Sequence, residues 1–407
     1  MPGLLMALLL ALRNLRRQFR RSLTALLSIG FGVTALLVAT GFNEAMFEEF
    51  REATIRSQYG HLQITRPGFQ ERGRSDPWSY LLPAEIALDP TLLPPGSTVS
   101  PRLLLNGLVS FAEQTLPFMS EGIDPARDML DDRALRIEQG RRLAPGDHQQ
   151  VVLGEGLARQ LEVAPGGSVV LLVNTPEGQL GAAEAEVVGV FSSFSQEFDD
   201  AALLLPLSLA RELAQVEGAH AWLVFLQDTA ATDAALGPVR AALPSAAFDV
   251  QPWYALAEFY ARASVLFEQQ LDLVKGIVVF IILLGIGNTM MMSVLERTGE
   301  IGTVMALGNT RASVLRGFLL EGALLGLLGA ALGLLAALGA GQLLALAAIE
   351  MPPPPTFARS YHAALLITPV MVLEVLLIAV LTTTLASFYP AWRASRMEIV
   401  EAIRHVR

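Results

Sequence analysis

ERTGEIGTVMALGNTRASVLRGFLLEG, residues 296–322, separates two of the most hydrophobic runs in the chain. It begins charged, breaks at Gly308-Asn309-Thr310, and then passes into apolar sequence. Glu300 to Leu307 suffices for about two helical turns. Helical spacing puts Ile301, Val304, Met305 and Gly308 on one face and points Glu300 and Thr303 elsewhere. Gly308 is a suitable helix stop and Thr310 a suitable N-cap for a following helix. The stretch therefore predicts a short helix, a tight corner and a long apolar helix. Two apolar spans can be joined by a bare turn. A short helix placed there either lies in the interface with no further role or serves as a knob for a soluble partner.

Working outward, four runs reach the roughly 20 apolar residues needed to cross a bilayer as helix. They are residues 22–42, 276–295, 317–347 and 367–389. The third exceeds the need, which implies tilt or projection from the membrane. Residues 1–21 hold a shorter apolar run followed by Arg13, Arg16, Arg17, Arg20 and Arg21, with Leu8, Leu12, Leu15 and Phe19 at helical spacing. This pattern predicts an amphipathic helix lying in the interface. A signal peptide would have an overlong apolar region and a poor cleavage site at Val38–Gly41. Arginine distribution sets the expected orientation. Five precede span one, Arg297, Arg311 and Arg316 separate spans two and three, and Arg393, Arg396, Arg404 and Arg407 follow span four. The segment between spans three and four has only Arg359. The positive-inside rule then makes both termini and 296–316 cytoplasmic, and places 43–270 and the Pro352–Pro355 loop outside.

Composition narrows the function. The 407 residues are 52% hydrophobic and 17% charged, with a net charge of -10 and no cysteine. An acidic chain is a poor partner for nucleic acid. The lack of cysteine excludes disulfides and thiolate chemistry. Lys275 is the sole lysine and precedes Gly276, so the sequence has no GxxxxGK[ST] phosphate loop. Any ATP hydrolysis is expected in a separate subunit, with no cofactor bound by this chain.

The long inter-span segment is large enough for a folded domain. Gly60–Thr65 alternates as a strand. Ser168–Val173 and Ala185–Phe191 read as strands between Pro/Gly turns, and Gly154–Leu161 as a helix. A β-α-β pattern closes the segment: Ala221–Gln227, Thr232–Leu243 and Ala247–Trp253. Gly237-Pro238 is expected to kink or interrupt its helix. Ala257–Leu273 reads as a helix continuing into span two. The predicted fold class is an α-helical membrane protein with four transmembrane helices plus a large α+β extracytoplasmic domain between helices 1 and 2.

Catalytic signatures are missing from the sequence. His61, His148, His220, His362 and His405 are scattered without metal-ligand spacing, and there is no GxSxG elbow. Glu197, Asp199 and Asp200 read as a solvated loop, with a metal site as the alternative. An intramembrane enzyme has no supporting constellation, and the chain is expected not to be an enzyme. Glu321 and Glu374 are membrane carboxylates, functional candidates because burial in lipid is costly. Glu321 can instead pair with Arg316 or Arg297, and Glu374 can reach the outer interface. Asn288 and Thr289 can hydrogen-bond across helices. Gly322, Gly326, Gly329 and Gly333 permit close helix approach, either within the subunit or at a dimer seam.

Glu296-Arg297, Glu300-Ile301-Gly302, Ala306-Leu307-Gly308, Phe318-Leu319 and Glu321-Gly322 together resemble the macrolide-exporter and lipoprotein-release family of ABC transporter permeases, which includes the cell-division permease FtsX. Tyr389–Arg396 with Val400–Arg404 resembles the family's closing signature, and Ala11–Leu15 its opening. Val152–Ala158 and Val187–Phe191 are similar to its periplasmic domain. The resemblance implies a MacB-like periplasmic core over 43–270 and an FtsX-like permease domain over 271–407. It also implies a dimer, homotypic or with a related permease, in a bacterial inner membrane, working with a cytoplasmic ABC ATPase. Residues 299–308 would be the coupling helix, with Glu296, Arg297, Glu300, Ile301, Gly302, Val304, Met305, Ala306, Leu307 and Gly308 at the ATPase-coupling site. Residues 257–295 would transmit its motion. The layout is similar to the lipoprotein-release branch. The expected activity is movement or extraction of a lipoprotein, lipid or other amphiphile by mechanotransmission, with a lipoprotein carrier as a candidate partner. Alternatives are an efflux component working with a periplasmic adaptor and outer-membrane channel, and a non-transporting regulator of a periplasmic enzyme. Gly302 and Ala306 are expected on the docking surface.

Overall fold

The computed structural model describes residues 13, 17, 19–73, 75–84, 88–132, 134–351 and 361–397. Most of the expected N-terminal amphipathic helix, the Pro352–Pro355 loop and the Val400–Arg404 part of the closing signature lie outside the described residues. In chain order the helices are α1 (Phe19–Thr54), α2 (Phe69–Arg72), α3 (Glu155–Leu161), α4 (Gln196–Asp199), α5 (Leu207–Ala214), α6 (Thr232–Ala242) and α7 (Trp253–Leu256). They continue with α8 (Glu258–Glu296), α9 (Thr298–Ala306), α10 (Arg311–Ala347) and α11 (Pro369–Ser395). The strands of the inter-span domain are β1 (Leu62–Thr65), β2 (Thr98–Phe111), β3 (Gln114–Ile123), β4 (Arg136–Gly140) and β5 (Gln150–Gly154). β6 (Ser168–Asn174), β7 (Leu180–Ser192), β8 (Ala202–Pro206), β9 (Ala221–Phe225) and β10 (Asp249–Pro252) complete them.

The chain divides into two units. One takes described residues up to Met46, Ser264–Ile349 and those from His362 onward; the other is Phe47–Ala263 with the described residues between Glu350 and Tyr361. α1, α8, α10 and α11 are long and apolar enough to cross a membrane. The first two are longer than any bilayer requires and continue unbroken into the second unit's sequence.

In the membrane unit, the small residues of α10 are consumed by its own neighbours. A Cβ on Gly322 would stand 2.0 Å from Ser387 Oγ, and one on Gly326 2.2 Å from Thr383 Oγ1, both on α11. Cβ atoms on Gly329 and Gly333 would meet Ile29 and Gly30 of α1 at 2.7 and 2.6 Å. Thr34 Oγ1 donates to the Gly333 carbonyl at 3.1 Å, a bond that backbones so close can accommodate. The glycine stripe is thus internal packing, filled by this chain's first and last spans. Thr289, expected to bond across helices, donates to the Gly285 carbonyl of its own helix at 2.8 Å, a common local option for threonine in a helix. Glu374 pairs with Lys275 of α8 at 2.8 Å.

In the inter-span domain, β2–β3–β8–β5–β7–β6 pair in succession, and β6 pairs back onto β2. The ladder therefore closes into a six-stranded ring, which leaves no free edge among its members. Alternate residues such as Leu105, Val109, Val169, Leu171 and Val187 fill its core. β2 also serves a second layer. Its first half, Thr98–Arg102, pairs with β9, and β1 lies between β9 and β10. β9-α6-β10 is therefore the expected β-α-β with β1 inserted between its strands, packed on a separate core of Leu62, Ile64, Trp222, Val224 and Val239.

Three local expectations change. α6 runs through Pro238 as one helix; Gly237 before it has no Cβ to clash with the proline ring. The last strand stops at Pro252, and Trp253 opens α7 instead. The acidic 197–200 segment is not a solvated loop throughout. It forms α4, with Asp199 buried and its carboxylate oxygens each 3.0 Å from the Ser193 N–H. Burial pushes the Asp199 carboxyl up to about 6.

Three buried polar residues tie the layers. Arg102, at the point where β2 leaves β9 for β3, is bidentate to Asp128 (Nε to Oδ2 3.0 Å, Nη2 to Oδ1 2.5 Å). It also pairs with Glu121 and donates to the Ser57 carbonyl at 3.3 Å. His61 and His220 are fully buried. Each uses Nδ1 as an acceptor, from the Leu226 and Leu104 N–H groups respectively, both at 3.0 Å. Both rings are therefore neutral with the proton on Nε2. His61 faces Thr229 Oγ1 at 3.1 Å and His220 the Pro77 carbonyl at 3.1 Å. Thr229 in turn donates to Glu52. Burial lowers both imidazoles to about 4.

Candidate coupling site

α9 sits between the ends of two spans and is closed at its C-terminal end by its own sequence. Its C-terminus carries the paired bonds of a Schellman motif: Asn309 N–H to the Val304 carbonyl at 3.3 Å and Gly308 N–H to the Met305 carbonyl at 3.1 Å. Gly308 takes a φ of +96°, which only glycine adopts readily. Thr310 then caps α10 through the Ser313 N–H, as its sequence position predicts. The corner is thus built from three residues with no slack.

Beneath α9 lies a small apolar floor. Ile301 packs with Val294, Phe318, Ala391 and Ala394, all buried, and with the half-buried Met305. Ala391 and Ala394 come from the end of α11, which gives the Tyr389–Arg396 signature a physical role: small residues there admit Ile301. Gly302 is buried beside Ile301. Val304, expected on the same face as Ile301, is exposed, and Leu307 is 83% exposed. The helix is only nine residues long, and its periodicity cannot say which of two apolar edges meets the floor. Thr303, Ala306 and Gly308 are exposed with them.

Charge holds the element from the side. Arg297 Nη1 donates to Glu321 Oε2 at 3.2 Å, and its Nε lies 3.6 Å from Glu300 Oε2. The guanidinium stands 5.5 Å from the centre of the Phe318 ring, within cation–π range. Glu321 is buried, so its carboxylate is matched by Arg297, one of the two partners the sequence offered. Glu296 receives a bidentate pair from Arg21, and Glu300 an ion pair from Arg17 at 2.8 Å. From the sequence, Arg17 and Arg21 belong to the arginine run of the interfacial helix that sets membrane orientation. The Arg21–Glu296 pair alone joins residues 275 apart in the chain, for which no local signal exists. Among the described residues no three His, Cys, Asp or Glu side chains gather to hold a metal. The arrangement suits docking: a rigid short helix with a neutralised flank and an apolar outer edge.

The MacB-like periplasmic core domain model matches residues 22–242, more than half of the chain, and the FtsX-like permease C-terminal model matches residues 273–399. The chain is an ABC transporter permease of the MacB, LolC and FtsX family. The permease is 25% identical to the lipoprotein-releasing system transmembrane protein LolC of Xylella fastidiosa (strain 9a5c), over 97% of this chain and 98% of that protein. It is 27% identical to the macrolide export ATP-binding/permease protein MacB of Rhodospirillum rubrum, over 98% of this chain but 60% of that protein. A solved structure of the periplasmic region of MacB from Actinobacillus actinomycetemcomitans aligns at 17% identity over 50% of the permease and 94% of its own chain, with a TM-score of 0.36. Four spans and a periplasmic-type domain between the first and second fit an inner-membrane permease.

Proposed function

We propose that the permease couples ATP hydrolysis in a separate cytoplasmic ATPase subunit to movement of an amphiphile, such as a lipoprotein or lipid, on the far side of the membrane. The observation that carries this reading is α9: a helix fixed by its buried face and three ion-paired arginines, with Val304 and Leu307 turned outward. An exposed apolar edge on a fixed helix is what a soluble partner can grip. The ATPase supplies the nucleotide site, with ATP and its metal, because these 407 residues contain no P-loop. The arginine bias orients α9 and both termini toward the cytoplasm and the inter-span domain toward the periplasm. α1 and α8, each an unbroken helix entering the inter-span domain's sequence, are the transmitting elements. The end-to-end match with a lipoprotein-releasing protein favours lipidated cargo over an adaptor-linked efflux role. A dimer with a second permease completes the assembly.

Leu307→Glu and Ala306→Glu change only exposed positions. Each is expected to weaken ATPase association about tenfold or more, the scale of an interface hot spot, while folding is unchanged. Normal association and activity in both variants would remove α9 from the coupling role. Gly302 is unsuitable for this test because it is buried; a bulky charge there would disturb the floor under α9 as well as any docking.

A further inference from the structure

The inter-span domain carries a partly open cavity of about 580 Å³, within the range of small-ligand sites. Three segments form most of it, with Ala134 added: the end of α1 with the following Ile55–Tyr59 turn, residues 193–200, and residues 257–260. One wall is aromatic. The Phe50 ring lies 6.1 Å from Phe194, 5.9 Å from Phe259 and 5.3 Å from Tyr260, centroid to centroid. Glu197 and Asp200 also line the cavity, and neither has a cationic partner among the described residues. Their segment is held in place: Ser195 accepts the Phe198 N–H, and the buried Asp199 carboxylate accepts the Ser193 N–H.

Aromatic faces attract cations, and two carboxylates without an ion-pair partner among the described residues add to the same potential. An anionic lipid headgroup would be repelled, and a neutral chain would gain nothing from these carboxylates. We propose that this cavity binds an amphiphile with a cationic, alkylammonium-type head, its charge at Glu197 and Asp200 and its apolar portion against the Phe50 cluster. Two of the three walls belong to the segments that lead out of span one and into span two. Occupancy would therefore be felt by the helices assigned to transmission. The role in the cycle rests on the transport reading; the binding does not, and it is measured on the permease alone.

The test uses the full chain in nanodiscs of zwitterionic lipid, with empty nanodiscs as baseline. Radiolabelled dodecyltrimethylammonium is compared with uncharged N-dodecylacetamide by equilibrium dialysis. Saturable binding above baseline is expected for the cation, at least about tenfold tighter than for the neutral analogue, as two favourable charge contacts imply. Glu197→Gln with Asp200→Asn should remove that preference, and Phe259→Ala, at an exposed position, should weaken the cation about fivefold. Glu197 is exposed, so Glu197→Gln alone, expected to weaken the cation about threefold, keeps the test readable if the double variant fails to fold. Equal binding of the two probes, unchanged affinity in the charge variants, or no saturable binding above empty nanodiscs would overturn the proposal. Loss of ATPase coupling with binding intact would overturn only the transport reading.

Discussion

Arg102→Met is expected to destabilise the inter-span domain by about 3–5 kcal/mol, because it leaves buried carboxylates without their cation. The guanidinium is fully buried and is held by Asp128, Glu121 and the Ser57 carbonyl. Ser100 Oγ also donates to Asp128, at 2.8 Å, but a hydroxyl does not replace a charge. Burial already raises the Glu121 carboxyl above its ordinary value, with Arg102 opposing that rise. Without Arg102 the Glu121 carboxyl would take up a proton more readily, so the loss should be smaller at pH 5 than at pH 7. Replacing all three partners with uncharged residues, Arg102→Met with Glu121→Gln and Asp128→Asn, should recover much of the stability, since removing a whole buried ion cluster is often close to neutral. Protease resistance of the full chain reads both variants. Equal resistance of Arg102→Met and wild type would show that the cluster is not the tie between the two layers.

The second large effect is on pH. His61 and His220 sit near 4 in the folded chain, against 6.5 for a free imidazole. Their contribution to stability is complete above about pH 6.5, where both states are neutral, and is lost as pH falls toward 4, where the unfolded chain takes protons that the folded chain resists. Each is worth about 3 kcal/mol across that window. Asp199 acts in the opposite sense. Its carboxyl is raised to about 6 from 3.8, so its contribution is favourable at low pH and is lost as pH rises through 6. Two histidines outweigh one aspartate, and stability should rise with pH from 4 to 6.5. Asp199→Asn should steepen that rise. Hydrogen exchange at the Leu226 and Leu104 amides, corrected for intrinsic rates, follows the two sites directly. Flat protection over this window would mean that neither imidazole is held neutral.

Much of the membrane architecture was legible because its signals are local. Four runs of about 20 apolar residues announce four spans, and Gly308 with Thr310 announces the corner before α10. The interior of the inter-span domain was less legible. β2 and β3 are joined by Ala112-Glu113, with Ala112 at a φ of +50°. No Asn or Gly marks that hairpin, so both long strands went unread. Ring closure depends on β6 pairing with β2 some 60 residues earlier, a partner choice that alternation cannot express. At α9 the sequence gives an apolar helix but not its orientation, which is set by Ala391 and Ala394 arriving from the far end of the chain. The glycine stripe of α10 was legible as a close-contact surface, while its occupants, Ile29, Gly30, Thr383 and Ser387, were not.

The central claim is that α9 meets a nucleotide-hydrolysing partner. The most direct measurement places a photocrosslinking residue at Leu307, and separately at Val304, in the full-length protein in its native membranes, followed by purification in mild detergent and mass spectrometry of the adducts. The account predicts an ABC ATPase subunit crosslinked from both positions and absent when the residue is placed within a span, such as at Leu335, exposed in α10. Recovery of no ATPase from either position, with the protein folded and in the membrane, would contradict it.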